Sequence, residues 1–344
     1  MHQNPLVTVL MSVYNGGAYL QSAVDSILCQ TMSQFEFIII NDGSTDGSTE
    51  FLRHSAKRDS RIFLIEQENQ GLITSLNRGL RSARGKYVAR MDADDIAYPD
   101  RFEQVTRFLE KRPDVDVLGT GVCCFSNSED TVNWMPPWHE HREIRVQLLF
   151  RNCISHPTAV LRRERFQDGC HEYAPGFIHA EDYELWERVS GTLHLANLPS
   201  ITVKRRMHSE SVTSVHREKM RCAVQRIHER ALLQMKYQLT LEHLTVHEAI
   251  VNLGNQLSQP VSVSTAVQWL STIMHRNSIT RLYDDAALCK VLSAELHSLV
   301  NWPIGHTISG VRDILWSPLR NGNQWKFKDY VRLVAKSIVR RPHR

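Results

Sequence analysis

Residues 85–102 read GKYVARMDADDIAYPDRF, and this stretch decides how the chain is interpreted. A short apolar run, typical of a buried strand, leads through Arg90 and Met91 into Asp92-Ala93-Asp94-Asp95. The three carboxylates are close enough in sequence to repel one another. Crowded acids at the end of a strand indicate a solvated turn, the start of a helix, or a divalent cation held between them.

The composition is that of an ordinary globular protein. The chain has 344 residues, of which 42% are hydrophobic and 23% charged, and its formal net charge is +4. This length suffices for one large domain with an appendage, or for two domains. The mild positive charge does not indicate a nucleic-acid binder. The seven cysteines are scattered and form no C-x-x-C pair, so reduced core thiols are expected rather than a disulfide framework.

No targeting segment or membrane span is predicted. The start, MHQNPLVTVL, lacks the charged and long apolar regions of a signal peptide. No window approaches the roughly 18 consecutive apolar residues of a transmembrane helix. We therefore expect a cytoplasmic protein, or one that rests on the inner face of the cell membrane.

Strand patterns alternate with helical patterns through residues 6–125. The strand-like runs are LVTVLMSVY, FEFIII, IFLIEQ, KYVARM and VDVLGTGVCCF, and a segment with helical spacing follows each of the first four. This alternation predicts an α/β fold with a mostly parallel sheet covered by helices on both faces. Ligands of such sheets bind at the carboxyl ends of the strands. Polar clusters fall there at 13–15, 41–43 and 92–95.

Two common phosphate-binding motifs are missing. The first strand ends in SVYNGGAYL, which is not the G-x-G-x-x-G of a dinucleotide fold, and there is no Walker loop. Phosphate must then be held without a glycine cradle, and a metal is the obvious substitute. Asp92 and Asp94 form a D-x-D pair whose hard oxygen ligands suit Mg²⁺ or Mn²⁺.

At this point the residues resemble a known family. VTVLMSVYNGGAYLQSAVDSILCQT, FEFIIINDGSTDGS, NQGLITSLNRGLRSARGKYVARMDADD and AEDYELWERV resemble, in this order, the motifs of the family 2 glycosyltransferases of GT-A fold. The resemblance covers about residues 5–215. It implies a nucleotide-diphosphate-sugar donor, a divalent cation and inversion at the anomeric carbon.

The resemblance also implies roles for individual residues. Val13 and Tyr14 would border the nucleobase, and Asp42 would contact the uracil edge. Asp92 and Ala93 would lie at the nucleotide sugar, with Asp92 near the ribose, and Asp94 would hold the metal. Arg90 either neutralises the neighbouring acids or touches the nucleotide.

The catalytic residues implied by the resemblance lie in a later motif. Asp182 would be the base that takes the proton of the acceptor hydroxyl, with Glu181 as an orienting or acceptor-binding partner. His208 resembles a position where relatives place a phosphate or metal contact. The Q-x-x-R-W motif of processive members is missing, and RRMHSESVTS in its place resembles the members that add one sugar per encounter.

Each of these residues also has a purely structural interpretation. Asp92-Ala93-Asp94-Asp95 would serve as a solvated turn, and Asp42 as a turn former. Glu181 and Asp182 would complement a helix N-terminus. His208 would be a hydrogen-bonding residue, His156 would either shape an acceptor pocket or form a turn before Pro157, and Trp186 is expected in the core.

The predicted domain organisation follows from these motifs. We expect a GT-A domain at 1–215, with a nucleotide-sugar half at about 1–125 and an acceptor half at about 126–215, followed by a helical region at 216–344. From Ser317 the chain has eight Lys or Arg residues against one Asp, with apolar residues recurring at helical spacing. Such a tail is typical of a helix in a membrane interface, or of a terminal helix with a solvated basic face.

The sequence therefore predicts a metal-dependent, inverting, non-processive hexosyl- or N-acetylhexosaminyltransferase. It would transfer a sugar to a glycan or lipid-linked glycan in polysaccharide or lipopolysaccharide synthesis, and the expected donor is a UDP-sugar. Two alternatives remain: transfer to a polyprenyl phosphate, which needs no base, and a catalytically silent nucleotide-sugar binder that serves as an assembly partner. No nucleic-acid partner is expected.

Overall fold

The computed structural model describes residues 5–126, 131–167, 169–207, 217–252 and 261–301. The chain divides into two compact units. The first comprises the residues up to His141 together with Asn152–Val224, and the second comprises Arg142–Arg151 together with the residues from Gln225 onward. Residues 142–151, which are predicted to lie in the acceptor half, fall in the second unit by this division. No described helix is both long enough and apolar enough to cross a bilayer.

The first unit is built on one mixed sheet. Its strands are β1 (Val7–Val13), β2 (Phe35–Asp42), β3 (Ile62–Gln67), β4 (Tyr87–Met91), β5 (Ile96–Ala97), β6 (Val117–Phe125), β7 (Thr131–Trp134), β8 (Val160–Arg162) and β9 (Leu195–Arg206). Their order is β3-β2-β1-β4-β8-β6-β9-β5, and β7 pairs with β6. Strands β1 to β4, β6 and β9 run in one direction. Strands β4 and β6 share this direction because each pairs antiparallel with β8, which lies between them. The predicted α/β class with a mostly parallel sheet is confirmed.

The helices of residues 6–125 alternate with strands, as the periodicity predicts. They are α1 (Leu20–Leu28), α2 (Ser48–Arg58), α3 (Leu72–Ser82) and α4 (Arg101–Lys111). Two helices lie between later strands, α5 (His141–Gln147) and α6 (Glu181–Val189). Four described helices follow β9 without a strand between them: α7 (Arg217–Leu233), α8 (Leu241–Val251), α9 (Val263–Thr280) and α10 (Asp285–Asn301).

Side chains of β1 show why its apolar run is continuous. Val9 and Met11 belong to the core cluster that also contains Ile27 of α1 and Phe102 of α4. Leu10 points to the other face, against Gly79 of α3, where an added Cβ would lie 2.0 Å from Leu10 Cδ1. Both faces of the strand are therefore covered, which is the arrangement that a continuous apolar strand predicts.

The second unit is helical and contains buried polar contacts. Arg151 pairs with Glu295 over 2.7 Å, and the Glu295 side chain is only 3% exposed. His247 is fully buried, with Nε2 2.9 Å from the carbonyl oxygen of Leu149 and Nδ1 accepting from Trp269 Nε1 at 3.2 Å. Since Nδ1 accepts, Nε2 donates to the carbonyl, and the imidazole is neutral.

Candidate active site

The carboxyl ends of β1, β2 and β4 meet at one edge of the sheet. Val13 lies opposite Asn41 in the β1–β2 register, and Met11 lies opposite Met91 in the β1–β4 register. The parallel strands thus bring the clusters at 13–15, 41–43 and 92–95 to the same edge. The Asp92–Asp95 turn follows β4 directly.

The chain after β1 is held by the chain after β2. Val13 is fully buried, whereas Tyr14 is 55% exposed. Asn15 adopts a left-handed φ of 51°, and its Oδ1 accepts a hydrogen bond from the Thr45 backbone N at 2.8 Å. This turn leaves the Tyr14 ring available at the edge of the sheet, where the sequence predicts the nucleobase.

Asp42 is buried and holds the chain that follows β3. Its Oδ1 accepts from Gln67 Nε2 at 2.7 Å and from the Gln70 backbone N at 2.9 Å. Its Oδ2 accepts from the Gly71 backbone N at 2.9 Å. Both oxygens therefore have protein partners, so that the carboxylate shapes the start of α3 in addition to any contact with a nucleobase.

The turn after β4 collects three carboxylates. Oxygen atoms of Asp92, Asp94 and Asp95 lie within 4.8 Å of one another. Asp92 forms an ion pair with Arg90 and keeps a side-chain exposure of 36%, whereas Asp95 is only 1% exposed. Ala93 lies between the two ligand candidates of the D-x-D pair and packs against the core cluster.

The donor set of this turn fits a hard divalent cation. Asp95 Oδ2 is buried and has no hydrogen-bond partner in the described part of the chain. Burial, together with the charges of Asp92 and Asp94, raises the pKa of Asp95 well above its ordinary value. A cation among the three carboxylates would remove the repulsion and satisfy the orphaned oxygen.

A second arginine is buried behind the turn. Arg101, the first residue of α4, donates from Nη2 to the carbonyl oxygens of Arg90 at 2.7 Å and Pro157 at 2.9 Å. Burial and the nearby charge of Arg90 lower the pKa of Arg101 to about 9. Its two carbonyl contacts hold β4 and the chain before β8 in a fixed relation, just where the acidic turn begins.

Glu181 and Asp182 form the first turn of α6, where the helix dipole favours negative charge. Asp182 accepts from Asn152 Nδ2 at 2.8 Å through Oδ2 and from its neighbour's backbone N at 2.7 Å through Oδ1. Burial raises the pKa of Asp182 and, with the charge of Asp182 added, raises the pKa of Glu181 to about 7. The backbone amide of His179, a residue with a φ of 72°, donates to the Glu181 carboxylate.

A buried aromatic group lies beside these acids. His156 Nε2 is 2.8 Å from Tyr173 Oη, and the ring of His156 lies edge-on to Trp186 at 6.4 Å between centroids. Burial and the charge of Arg90 lower the pKa of His156 well below its ordinary value, so this imidazole is neutral. Trp186 is fully buried, which confirms the predicted core role.

Arg90 connects the two acidic groups. It is 5% exposed, and its positive charge opposes the rise that burial causes in the pKa of Asp95, of Glu181 and of Asp182. One guanidinium therefore lies within electrostatic reach of the acidic turn and of the first turn of α6. Among the described residues, the acidic turn with Asp94 and the predicted base Asp182 thus share one buried arginine.

Other residues of the site carry no recognisable signal in the sequence. Four of them form hydrogen bonds with residues of the site that lie elsewhere in the sequence: Arg101, Asn152, Tyr173 and Arg206. A single sequence does not reveal such contacts. His208, the second predicted metal ligand, lies outside the described residues, as does the basic tail from Ser317.

Comparison with known proteins identifies similar chains. The family model described as Glycosyl transferase family 2 matches residues 8–169. An uncharacterized glycosyltransferase of Haemophilus influenzae is 36% identical over 226 residues, which are 63% of this chain and 70% of that protein. The O-antigen biosynthesis glycosyltransferase WbnJ of Escherichia coli is 30% identical over 212 residues, 60% of this chain and 81% of that protein.

Solved structures share the fold. The crystal structure of S. aureus TarS 1-349 in complex with UDP-GlcNAc superposes with a TM-score of 0.57 at 17% identity, over 85% of this chain and 87% of that one. At this level of identity the likeness concerns the fold alone. The predicted GT-A class is confirmed by it.

Proposed function

Because the chain belongs to the family 2 glycosyltransferases, we propose that it transfers a single sugar, with inversion, from a nucleotide-diphosphate sugar to a glycan or lipid-linked glycan. The observation that carries this proposal is the placement of the acidic turn and the Glu181–Asp182 pair around Arg90. One acidic group suits the donor diphosphate, and the other suits an acceptor hydroxyl.

The donor half of the site would hold the nucleotide sugar and its metal. Asp94, with Asp92 and Asp95 beside it, would bind Mn²⁺ or Mg²⁺, and the ion when bound neutralises the charge that develops on the departing diphosphate. Val13 and the exposed Tyr14 ring would border the base, and Asp42 would contact its edge. His208 is proposed as a further ligand from the sequence alone.

The acceptor half would supply the base. Asp182 Oδ2 is oriented by Asn152, and burial keeps the pKa of Asp182 above its ordinary value, which makes it a stronger proton acceptor. Glu181 would orient the acceptor hydroxyl. Arg90 holds its charge between the two halves, where it limits the repulsion between the acids before the substrates bind.

Two relatives support the substrate class. The TarS structure holds UDP-GlcNAc, which supports a UDP-sugar as the first donor to test. The name of WbnJ refers to O-antigen biosynthesis, which supports an acceptor in cell-surface polysaccharide synthesis. We also propose that the basic tail holds the protein at the cytoplasmic face of the membrane, where lipid-linked acceptors lie.

The test is a panel of UDP-, GDP- and dTDP-sugars measured by calorimetry with the full chain, with and without Mn²⁺. We expect one nucleotide class to bind, and to bind only with the metal. The bound sugar nucleotide is then offered to extracted lipid-linked glycans, and product is detected by mass spectrometry. A chain that binds none of the panel at any Mn²⁺ concentration is not a transferase of this kind.

A further inference from the structure

Arg206, the last residue of β9, is a second arginine in contact with the acidic turn. Its backbone N donates to Asp95 Oδ1 at 2.8 Å, and its Nε donates to the carbonyl oxygen of Asp94 at 3.0 Å. The two bonds span more than a hundred residues of sequence. One residue therefore fixes both the side chain of Asp95 and the backbone of the D-x-D pair.

The guanidinium of Arg206 is itself held between two aromatic rings. It lies 4.3 Å from the ring centroid of Tyr19 and 4.6 Å from that of Phe125. Tyr19 precedes α1, in the connection that follows the predicted nucleobase contact, and Phe125 ends β6. Stacking on two rings restricts the guanidinium plane and hence the direction of its Nε–H.

The three carboxylates of the acidic turn differ in their contacts and exposure. Asp95 is buried and has one oxygen bound to Arg206, whereas Asp92 and Asp94 keep partial exposure. Asp95 Oδ2, the orphaned oxygen, is then directed by the bond at Oδ1. Partners that orient a ligand in this way tune metal affinity without touching the metal.

We propose that Arg206 is a positioning residue for the metal: it holds the Asp92–Asp95 turn in the conformation that binds the divalent cation. This inference rests on the proposed function, since it assumes that the turn binds a cation. It adds a residue from β9 whose side chain holds the carbonyl oxygen of Asp94 and whose backbone N holds the carboxylate of Asp95. The planar guanidinium is required, because a lysine keeps the charge but neither the Nε–H direction nor the stacking.

The test compares Arg206→Lys with wild type in the full chain. Free Mn²⁺ is measured by electron paramagnetic resonance during titration of the protein, with and without UDP. We expect Mn²⁺ affinity to fall about tenfold or more in Arg206→Lys, the usual cost of losing a residue that orients a ligand. Excess Mn²⁺ should restore UDP binding. Hydrogen exchange should quicken in the peptide that contains Asp92–Asp95, whether or not metal is present.

The matched control is Arg84→Lys. The Arg84 guanidinium stacks on Phe63 at 4.4 Å, but Arg84 precedes β4 and so lies at the opposite end of that strand from the acidic turn. This variant should bind Mn²⁺ as wild type does. Wild-type Mn²⁺ affinity and exchange in Arg206→Lys would overturn the inference, and so would a wild-type chain that binds no Mn²⁺. A chain that binds Mn²⁺ but no nucleotide sugar would instead contradict the proposed function alone.

Discussion

Asn152 Nδ2 donates a hydrogen bond of 2.8 Å to Oδ2 of Asp182, across 30 residues of sequence. The bond favours the charged form of Asp182 and lowers its pKa, whereas burial raises that pKa. The two effects oppose each other, and burial is the larger. Burial thus raises the basicity of Asp182, and the Tyr183 backbone N–H, the charge of Arg90 and the Asn152 amide each lower it.

The base is tested by Asp182→Asn. The amide has nearly the same size but cannot take a proton from the acceptor, so we expect donor affinity to persist while kcat falls by roughly 10²–10⁴-fold. Transfer to the identified acceptor is measured under saturating donor. Asp114→Asn, a surface substitution, serves as control. A near-wild-type kcat in Asp182→Asn would favour the polyprenyl-phosphate alternative, in which the acceptor needs no base.

The hydrogen bond to Asp182 predicts a pH dependence. Below the pKa of Asp182 the base is protonated, and burial raises that pKa, so kcat/KM should rise with pH along an acidic limb that lies above the ordinary range of an aspartate. In Asn152→Ala the charged form of Asp182 loses a donor, so its pKa rises further and the acidic limb should move to higher pH by roughly one unit. The profile is recorded at saturating metal. An acidic limb at the wild-type position would show that Asp182 does not control it.

The metal is tested by Asp94→Ala. Removing one ligand from the acidic turn should abolish Mn²⁺-dependent donor binding while the thermal unfolding midpoint stays close to that of wild type, and EDTA should have the same effect on wild type. Calorimetry measures the affinity for UDP with and without Mn²⁺. Asp25→Ala, on the exposed side of α1, provides the control. Equal UDP affinity of wild type with and without Mn²⁺ would rule out the metal role.

His247 predicts a stability change in the second unit. Burial lowers the pKa of His247 from 6.5 to about 4, so between these values the unfolded chain binds a proton that the folded chain does not. The free energy of unfolding should therefore fall as pH falls from about 6.5 to about 4, by roughly 3 kcal/mol from this group, and level off below.

The variant His247→Gln isolates this contribution. Glutamine can donate to the Leu149 carbonyl and accept from Trp269 but does not titrate. The free energy of unfolding of the variant should therefore depend less steeply on pH, because one proton fewer is bound on unfolding. Urea unfolding followed by tryptophan fluorescence from pH 4 to 7 measures this. His54→Gln, at an exposed position, should keep the wild-type slope. If the free energy of unfolding of His247→Gln depends on pH as steeply as that of wild type, His247 is not the group that titrates.

The basic tail predicts membrane binding that depends on salt. Each basic residue near an anionic surface contributes about 1 kcal/mol at low ionic strength. The full chain should co-sediment with vesicles that contain phosphatidylglycerol and dissociate at high salt. A chain ending at Asn323 should remain in the supernatant and still bind donor. If both chains stay in the supernatant, the tail is not a membrane anchor.

The acids of the site could be predicted because they follow strands. Parallel strands place Asp42 and Asp92 at one edge, and the motif around Asp182 is recognisable by itself. The partners of these acids could not be predicted in the same way. Nothing distinguishes Arg101 from the surface arginines of other helices, yet it is fully buried.

The order of the strands in the sheet could not be predicted from the sequence either. The apolar run at 115–125 predicts a fifth parallel strand, and β6 does run in that direction. The short β8, Val160–Arg162, lies between β4 and β6. The segment 152–166 does contain a strand-like run, but a three-residue strand has too little pattern to indicate its partners or its direction in the sheet. The internal contacts of Asp42 likewise depend on the loop after β3, whose course the sequence does not specify.

The insertion of β8 has a consequence for synthesis on the ribosome. Until Val160–Arg162 have emerged, β4 can pair only with β1, and it remains an open edge of a four-stranded sheet. Arg206, which holds the acidic turn, emerges later still. The nascent chain must therefore pass through a stage with an unpaired strand and unshielded carboxylates, in which self-association competes with completion of the sheet. Pausing of translation shortly after residue 150 would prolong that stage, whereas pausing beyond β9 would not.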